Sequence, residues 1–476
     1  MKKIEIISPA TFEAQNHWYE KSLNATIHPM VSYFLNLSKE RIVKRYCHLN
    51  PQVSADYLMD VLSYNPKHYH LSGADLFHVT TELGNRHMVV VENNSCPSGQ
   101  KSMPLLNEFD EQGGYKRFME LSIKPLLKGS KKKGVSAVIY DKNYMEASGY
   151  AHAMADMLNQ EVLLIPYYHG KDNSHIKVDE EGIHVFHNEK WEKLTVAFRY
   201  LTQKPWNRLP IQSKTLIVNP TVVCLAGGRN KLMASKAYSF YNAELQQANL
   251  KIMTPQTIWD VNKNEIPLWI SKMGGKAVVK NPYSNAGQGV YTIVNEKELA
   301  DFMNLEFDYD KFIVQSLVGN YNWSSTTAEG KFYHIGTVPN AKGYSYAMDF
   351  RMMIHATPEG YKPLSIYSRR ALSPLKDTLE EGKSSWDVLG TNLSIKNEDG
   401  SWGSDTSRLM LMERKEFNRL GVGLDDLIEA YIQTVLSSVA IDKVAVQLIG
   451  TKGKLKKKLF KSLNDDDSLI NEIMEQ

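Results

Sequence analysis

Residues 73–99 read GADLFHVTTELGNRHMVVVENNSCPSG. Two runs rich in Val, Thr and Phe, 74–82 and 86–94, flank Gly84-Asn85, a pair suited to a two-residue hairpin loop. With Gly84 and Asn85 at the centre of the turn, Asp75 stands opposite Asn94. Alternation with period two puts Glu92 on the same face. Asp75, Glu92 and Asn94 then converge as three oxygen donors, a set suited to a magnesium ion that phosphate oxygens and water also hold. Spacing alone equally fits an ordinary strand pair with polar ends, and a one-residue slip in register removes the convergence. The turn that follows, Ser95-Cys96-Pro97-Ser98-Gly99-Gln100-Lys101, is rich in small residues whose amides can face an anion, although turn chemistry also accounts for it. No histidine at a readable spacing partners Cys96, so it reads as a packed residue and not a nucleophile. His78 and His87 fall on the face opposite Glu92 and read as structural.

A second constellation lies two hundred residues on. Residues 277–280 form a strand ending in Lys280, and the loop NPYSNAGQG carries Gly287, Gln288 and Gly289 into a second strand, 290–294. Small residues let backbone amides approach phosphate, and a lysine at the strand end places an ammonium beside it. Neither a GxxxxGK[ST] nor a helix-opening GxGxxG occurs. Taken alone, the stretch also fits an ordinary hairpin.

Around these two centres the periodicity predicts helices within 28–46 and 55–62, then a strand–helix–strand unit over 134–170 of the kind that builds parallel sheets. A small hairpin (176–188) and strands at 195–201 and 214–220 complete an α/β unit. From residue 227 follow a helix (231–249), the glycine loop, a helix (296–303) and a strand (312–317). Two β-rich runs (348–357, 362–372), an amphipathic helix (425–439) and a charged tail come after. The tail, with its Lys452–Lys461 run and Asp465 to Asp467, reads as solvated chain or an amphipathic helix. The predicted segments are 1–72 helical, 73–130 the metal-binding hairpin and its continuation, 131–225 α/β, 226–318 a nucleotide lobe, 319–450 a second lobe and 451–476 the tail.

Composition narrows the class. The chain has 476 residues, enough for several cores, and 42% hydrophobic with 23% charged residues is ordinary for a globular protein, which disfavours disorder and coiled coil. A net charge of +3 from 56 basic and 53 acidic residues is too small to imply nucleic-acid binding. Three cysteines without CxxC spacing argue against a disulfide framework or a thiolate zinc site. No apolar run approaches the ~20 residues that span a bilayer. The expectation is a cytoplasmic protein with no membrane or nucleic-acid partner.

The order of motifs carries more than any one of them. A lysine-bearing helix with Lys236, the turn TPQT, then VVKNPYSNAGQGV and FIVQSLVGN resembles the nucleotide-binding half of the ATP-grasp superfamily. Ordinary members carry their metal-binding strands after that half, whereas here GADLFHVTTELGNRHMVVVENNSCPSG precedes it. That order is similar to the circularly permuted ATP-grasp proteins, which include relatives of glutathionylspermidine synthetase. The stretches VSAVIYDKNYMEASGYAHAMADML, VAFRYLTQKP and LIVNPTVVCLAGGRNKLMASKAY are similar to the insert of such members. The resemblance departs from the pattern at Gly227-Gly228-Arg229-Asn230, and the first 70 residues match nothing nameable.

The resemblance implies an α/β (α+β) fold of two ATP-grasp-like lobes. It implies that Lys236 and Lys280 touch ATP phosphates, that Gly287, Gln288 and Gly289 form a flap, and that the backbone of Gln315, Ser316, Leu317 and Val318 reads adenine. Arg351, Arg370 and Asn392 would face the transferring phosphoryl group, the two arginines having surface ion pairing as their alternative. The function expected is an ATP- and Mg2+-dependent ligase that joins a small-molecule carboxylate to an amine or thiol through an acylphosphate. A phosphotransferase on the same scaffold, or a nucleotide-binding protein without turnover, are the alternatives.

Overall fold

The computed structural model of the chain describes residues 3–128, 134–179, 181–211, 213–284, 287–380, 383–396 and 402–474. Three larger sheets and one buried helix organise them. The strand–helix–strand unit forms as expected: Val135–Tyr140 and Val162–Pro166 pair in parallel, joined by the helix Tyr144–Leu158. Both strands are apolar on both faces, as a parallel sheet covered on two sides requires. Lys190–Tyr200 extends the sheet in parallel, and Gly182–His187 and Ile176–Asp179 continue it antiparallel. The predicted helical amino-terminal segment also supplies a strand here, since Glu5–Ile7 pairs antiparallel with Val162–Pro166 and takes up its open edge.

The second sheet is antiparallel, in the order Thr257–Asn262, Lys311–Gln315, Ala277–Lys280, Val290–Ile293. Its core is Val279, Ile293, Phe312 and Val314 packed with Ile266 and Ile270 of the helix Ile266–Lys272 and with Phe302 of the helix Glu296–Met303. The third sheet joins distant parts of the chain. Leu71–Thr81 lies between Phe332–His334 and Met348–Thr357, with Arg86–Asn94 also paired to it, and Gly360–Arg370 and Leu409–Met410 follow outward. The early hairpin is thus built into the later lobe.

The helix Leu424–Leu448 departs from the amphipathic expectation. It runs nine residues further than predicted, through VAVQL, and is buried on nearly every side. The early hairpin, the helices Pro29–Leu35, Lys39–Leu49 and Ala55–Leu62, and the helix Lys231–Leu245 all pack on it, so no polar stripe remains. Among the described residues no helix is long and apolar enough to cross a membrane. The charged tail is docked. Its two helices, Lys457–Leu463 and Asp467–Met474, bracket Asn464 and Asp466, both buried. Glu472 accepts from Lys204, Trp206 and Tyr309, tying the α/β unit to the second sheet.

Candidate active site

The early hairpin turns differently from the expectation and reaches the same face. Its loop has three residues, Glu82 to Gly84, closed by Thr81 N–H to the Asn85 carbonyl at 3.0 Å, with Gly84 at φ 80°. That register runs from Thr80 opposite Arg86 to Leu76 opposite Val90. Continued, it would bring Val91 to Asp75. A bulge intervenes, and Asp75 stands opposite Glu92 while Asn94 stands opposite Gly73. The combined displacement is even, so Asp75, Glu92 and Asn94 share one face. His78 and His87 turn to the long helix, 3.3 Å from Asp426 and 3.7 Å from Glu429.

On the other side of Leu71–Thr81, the strand Met348–Thr357 sets Arg351 directly opposite Asp75. Arg351 donates to both carboxylate oxygens of Asp75, from Nε at 2.6 Å and Nη2 at 2.7 Å, and Arg369 Nη2 adds a bond of 2.8 Å. Arg369 also grips Asp349, with Nε at 2.9 Å from its carboxylate. Burial pushes the Asp75 carboxyl up, but the two guanidinium groups outweigh it and hold the group well below the ordinary carboxylate range. Arg370, the arginine expected in this zone, faces the other way, its guanidinium over the Tyr346 ring at 4.8 Å and bonded to the Ala371 carbonyl. The cause is a second bulge at Leu364, between the pairs Met353–Ser365 and Ile354–Pro363, which exchanges the faces of Arg369 and Arg370.

Lysines come from the opposite wall. Lys280 ends its strand only 4% exposed, and burial lowers its pKa to about 8 although Glu92 pulls it up. Lys231, the first residue of the helix Lys231–Leu245, lies 3.4 Å from Glu92 and donates to the Ser284 carbonyl at the flap's root. Lys236, expected to touch phosphate, sits five residues along the same helix and so on another side of it. It is bonded to Asp260 and to the Leu463 carbonyl, each at 2.6 Å, away from this wall.

These groups line one cavity of about 490 Å³. Gly287 and Gln288 form its lid, while Gly289 anchors the flap from outside the lining, its carbonyl accepting from Asn281 N–H at 2.7 Å. The flap leans across to the far wall: a Cβ on Gly287 would stand 2.6 Å from Asn392 Nδ2 and 3.3 Å from Trp386. Gln315, Ser316, Leu317 and Val318 form the back. Gln315 bonds Thr257, Ser316 N–H bonds Gln256, and Leu317 N–H bonds Ser325, which rigidifies the segment. Cations Lys101, Lys142, Arg229, Lys231, Lys280, Arg351 and Arg369 outnumber the carboxylates Asp75, Glu92 and Asp349, so the cavity suits a polyanion.

The Ser95–Lys101 turn is held by buried Glu146, which accepts from Ser98 Oγ and from the Gly99 and Gln100 amides. Cys96 donates to the Arg199 carbonyl, and burial pushes its thiol up, so it is no nucleophile. Lys231, Arg369 and Asp349 went unread in the sequence. The signal for Asp349 was its place two residues before Arg351 on the same strand, and for Arg369 its place on the neighbouring strand; for Lys231 it was only a position five residues nearer the helix start than Lys236. Among the described residues no three His, Cys, Asp or Glu side chains gather as a metal cluster. Asp75 is saturated by arginine and does not fit as a ligand. Glu92 fits magnesium, which asks the protein for one or two oxygen donors when phosphate and water supply the rest, and Asn94 adds the lone pair of its oxygen that Arg229 Nη1, at 3.1 Å, leaves open.

No family model matches the chain, and no curated protein does. Among solved structures, the chain is similar to a glutathione synthetase-like effector from Globodera pallida in its apo form, at 11% identity and a TM-score of 0.36, over 73% of this chain and 86% of the effector. It is similar to a RimK domain ATP-grasp protein from Sphaerobacter thermophilus at 12% identity and a TM-score of 0.31, over 49% and 90% of the two chains. It is also similar to the ATP-grasp ligase PsnB, complexed with minimal precursor, Mg and ADP, at 12% identity and a TM-score of 0.26, over 53% and 93%.

Proposed function

We propose that the chain is an ATP-dependent ligase of the circularly permuted ATP-grasp kind, activating a carboxylate as an acylphosphate for attack by an amine. The observation that carries this reading is the single cavity shared by the acidic hairpin, the lysine-headed flap and the backbone of Ser316 to Val318. The permutation reading is supported by the pairing of Leu71–Thr81 with Met348–Thr357, which seats an early hairpin in a late lobe.

In this reading the nucleotide base lies against the backbone of Ser316 to Val318 and its phosphates under Gly287 and Gln288, with Lys280 and Lys231 beside them. Glu92 and Asn94 would hold magnesium, which neutralises phosphate charge when bound. Arg351 and Arg369 face the transfer zone, oriented by Asp75 and Asp349, and stabilise charge on the moving phosphoryl group. A substrate carboxylate oxygen bonds to the terminal phosphorus and ADP leaves; the amine then bonds to the acyl carbon and phosphate leaves. No side-chain nucleophile is needed, and the flap resting on Asn392 and Trp386 excludes water from the acylphosphate.

The test is calorimetric titration with ADP and magnesium, followed by ADP release with paired acids and amines. The reading expects nucleotide binding, and release of ADP and phosphate together only when both co-substrates are present. Glu92→Gln is expected to lower turnover at least a hundredfold with the fold and its melting temperature kept. ADP release with a phosphorylated acid or alcohol as final product points to the phosphotransferase instead, and failure to bind nucleotide refutes both.

A further inference from the structure

Gly227-Gly228-Arg229-Asn230 matched no known pattern, and the structure gives it a place. Asn230 caps the helix Lys231–Leu245 by accepting from Met233 N–H at 3.1 Å. Gly228 is pressed on the turn after the acidic hairpin: its carbonyl accepts from Ser95 N–H at 2.8 Å, and a Cβ there would stand 2.7 Å from Ser95 Cβ. This close approach delivers Arg229 into the cavity beside Asn94, to which it donates from Nη1 at 3.1 Å. No carboxylate within ion-pair distance neutralises Arg229 among the described residues, and its Nε is buried without a partner.

Lys142 lines the same cavity, close enough for the two positive charges to repel one another. The neighbouring acid, Asp141, is bonded by Arg208, Thr202 and Gln203, and among the described residues no carboxylate stands within ion-pair distance of Lys142. Burial lowers its pKa; the Asp141 charge pulls it back up, and the Arg229 charge lowers it again by less. Two cations lining one cavity, partly dehydrated and without a carboxylate at ion-pair distance among the described residues, carry a desolvation cost that an anion would relieve. They also lie at the α/β end of the cavity. Asn94 separates them from Glu92, Lys231 and Lys280, since its amide donates to Glu92 at 3.4 Å while its oxygen receives Arg229.

We infer that Lys142 and Arg229 form a second anion subsite of the cavity, and that the acid substrate is a dicarboxylate whose unreacting carboxylate docks there while the other faces the transfer zone. The inference rests on the ligase reading and adds the substrate class. A guanidinium and an ammonium lining the same end of a cavity match a carboxylate by charge and by their hydrogen-bond donors. A monocarboxylate would leave both cations unpaired, and a polyamine would be repelled from this end.

The test uses the full chain saturated with magnesium and ADP. Succinate, glutarate and adipate are titrated by calorimetry beside butyrate, valerate and hexanoate. At least one dicarboxylate is expected to bind ten times more tightly than every monocarboxylate. Lys142→Gln and Arg229→Gln are each expected to remove that difference, with ADP affinity kept within about twofold as the control that the phosphate end is intact. Equal affinities for the two sets, absence of any acid binding, or a preference that survives both substitutions would overturn the subsite. Failure of ADP itself to bind instead removes the ligase reading, and the subsite assignment with it.

Discussion

On the proposed reading, in which phosphates lie beside Lys280, its buried ammonium would make nucleotide binding a proton-uptake reaction. Its pKa stands at about 8 in the free protein because burial outweighs the attraction of Glu92. An unfolded lysine titrates near 10.4, so charging Lys280 in the native state costs about 3 kcal/mol. Below pH 8 both states hold the proton and the full penalty is present. As pH rises through 8 the native state sheds its proton while the unfolded state keeps it, so stability climbs until about pH 10.4. A polyanion beside the ammonium pays for its charge and returns the pKa toward the ordinary value. Binding of ADP should therefore take up about half a proton at pH 8 and about 0.9 at pH 9. Affinity should fall about tenfold per pH unit above 8. Calorimetry in buffers of different ionisation enthalpy measures the uptake directly. Lys280→Arg, which cannot deprotonate, should bind ADP without it, and Glu92→Gln should move its onset to lower pH. No uptake by the native protein at pH 9, or undiminished uptake in Lys280→Arg, would refute the assignment of Lys280 to the phosphates.

Other outcomes follow from contacts at the walls. Asp75→Asn strips Arg351 of the carboxylate it pairs with among the described residues while Arg369 keeps Asp349, and breaking a buried pair in this way should cost about 3–5 kcal/mol, read from the urea midpoint. A loss under ~1 kcal/mol would mean that the cluster is not held as described. Tyr283→Phe removes a hydroxyl that donates to Asp466 at 3.1 Å and accepts from Asn464 at 2.8 Å, leaving each of these buried side chains short of one partner while Asp466 keeps Leu469 N–H and Asn464 keeps Asn230. It should destabilise by about 1–3 kcal/mol and speed hydrogen exchange over residues 464–474. Gly289→Ala meets Ser284 Oγ at 2.7 Å and Asn281 Cβ at 2.9 Å with φ at +69°, so it should weaken ADP binding. Gly84→Ala has a similar φ and nothing within 4 Å, and should leave ADP binding unchanged at a cost of about 1–2 kcal/mol.

The elements were legible in the sequence, and the faces were legible only in part. Strands and helices with a clear period, such as the unit from Val135 to Pro166, fell where their patterns put them. Faces depend on parity, and parity depends on bulges that no residue type announces. In the early hairpin a three-residue loop and one bulge displaced the register by an even number, so reasoning from the wrong turn still found the right face. In the later hairpin a two-residue loop at Pro358-Glu359 combines with a single bulge at Leu364. That sum is odd. An unbulged pairing would have set Arg370 on the face of Arg351, and the bulge substitutes Arg369.

The docked tail and the arginine cluster were illegible for a different reason. Nothing near Lys236 in the sequence indicates that Asp260 and the Leu463 carbonyl will capture it, because both arrive through tertiary contact. Asp75 is the more consequential case. Alone on its hairpin it reads as a metal ligand; against Met348–Thr357 its two oxygens are spent on Arg351 and Arg369 before any ligand enters. A carboxylate so placed does not attract cations to the cavity. It fixes the direction of two guanidinium groups, with Asp349 and the Thr391 hydroxyl bracing the second. The orientation cost of those donors is met on folding, so under the proposed function the arginines would not need to reorganise when phosphate charge develops in front of them. Glu92, loosely held at 3.4 Å by Lys231 and by Asn94, is the carboxylate left free to respond to what binds.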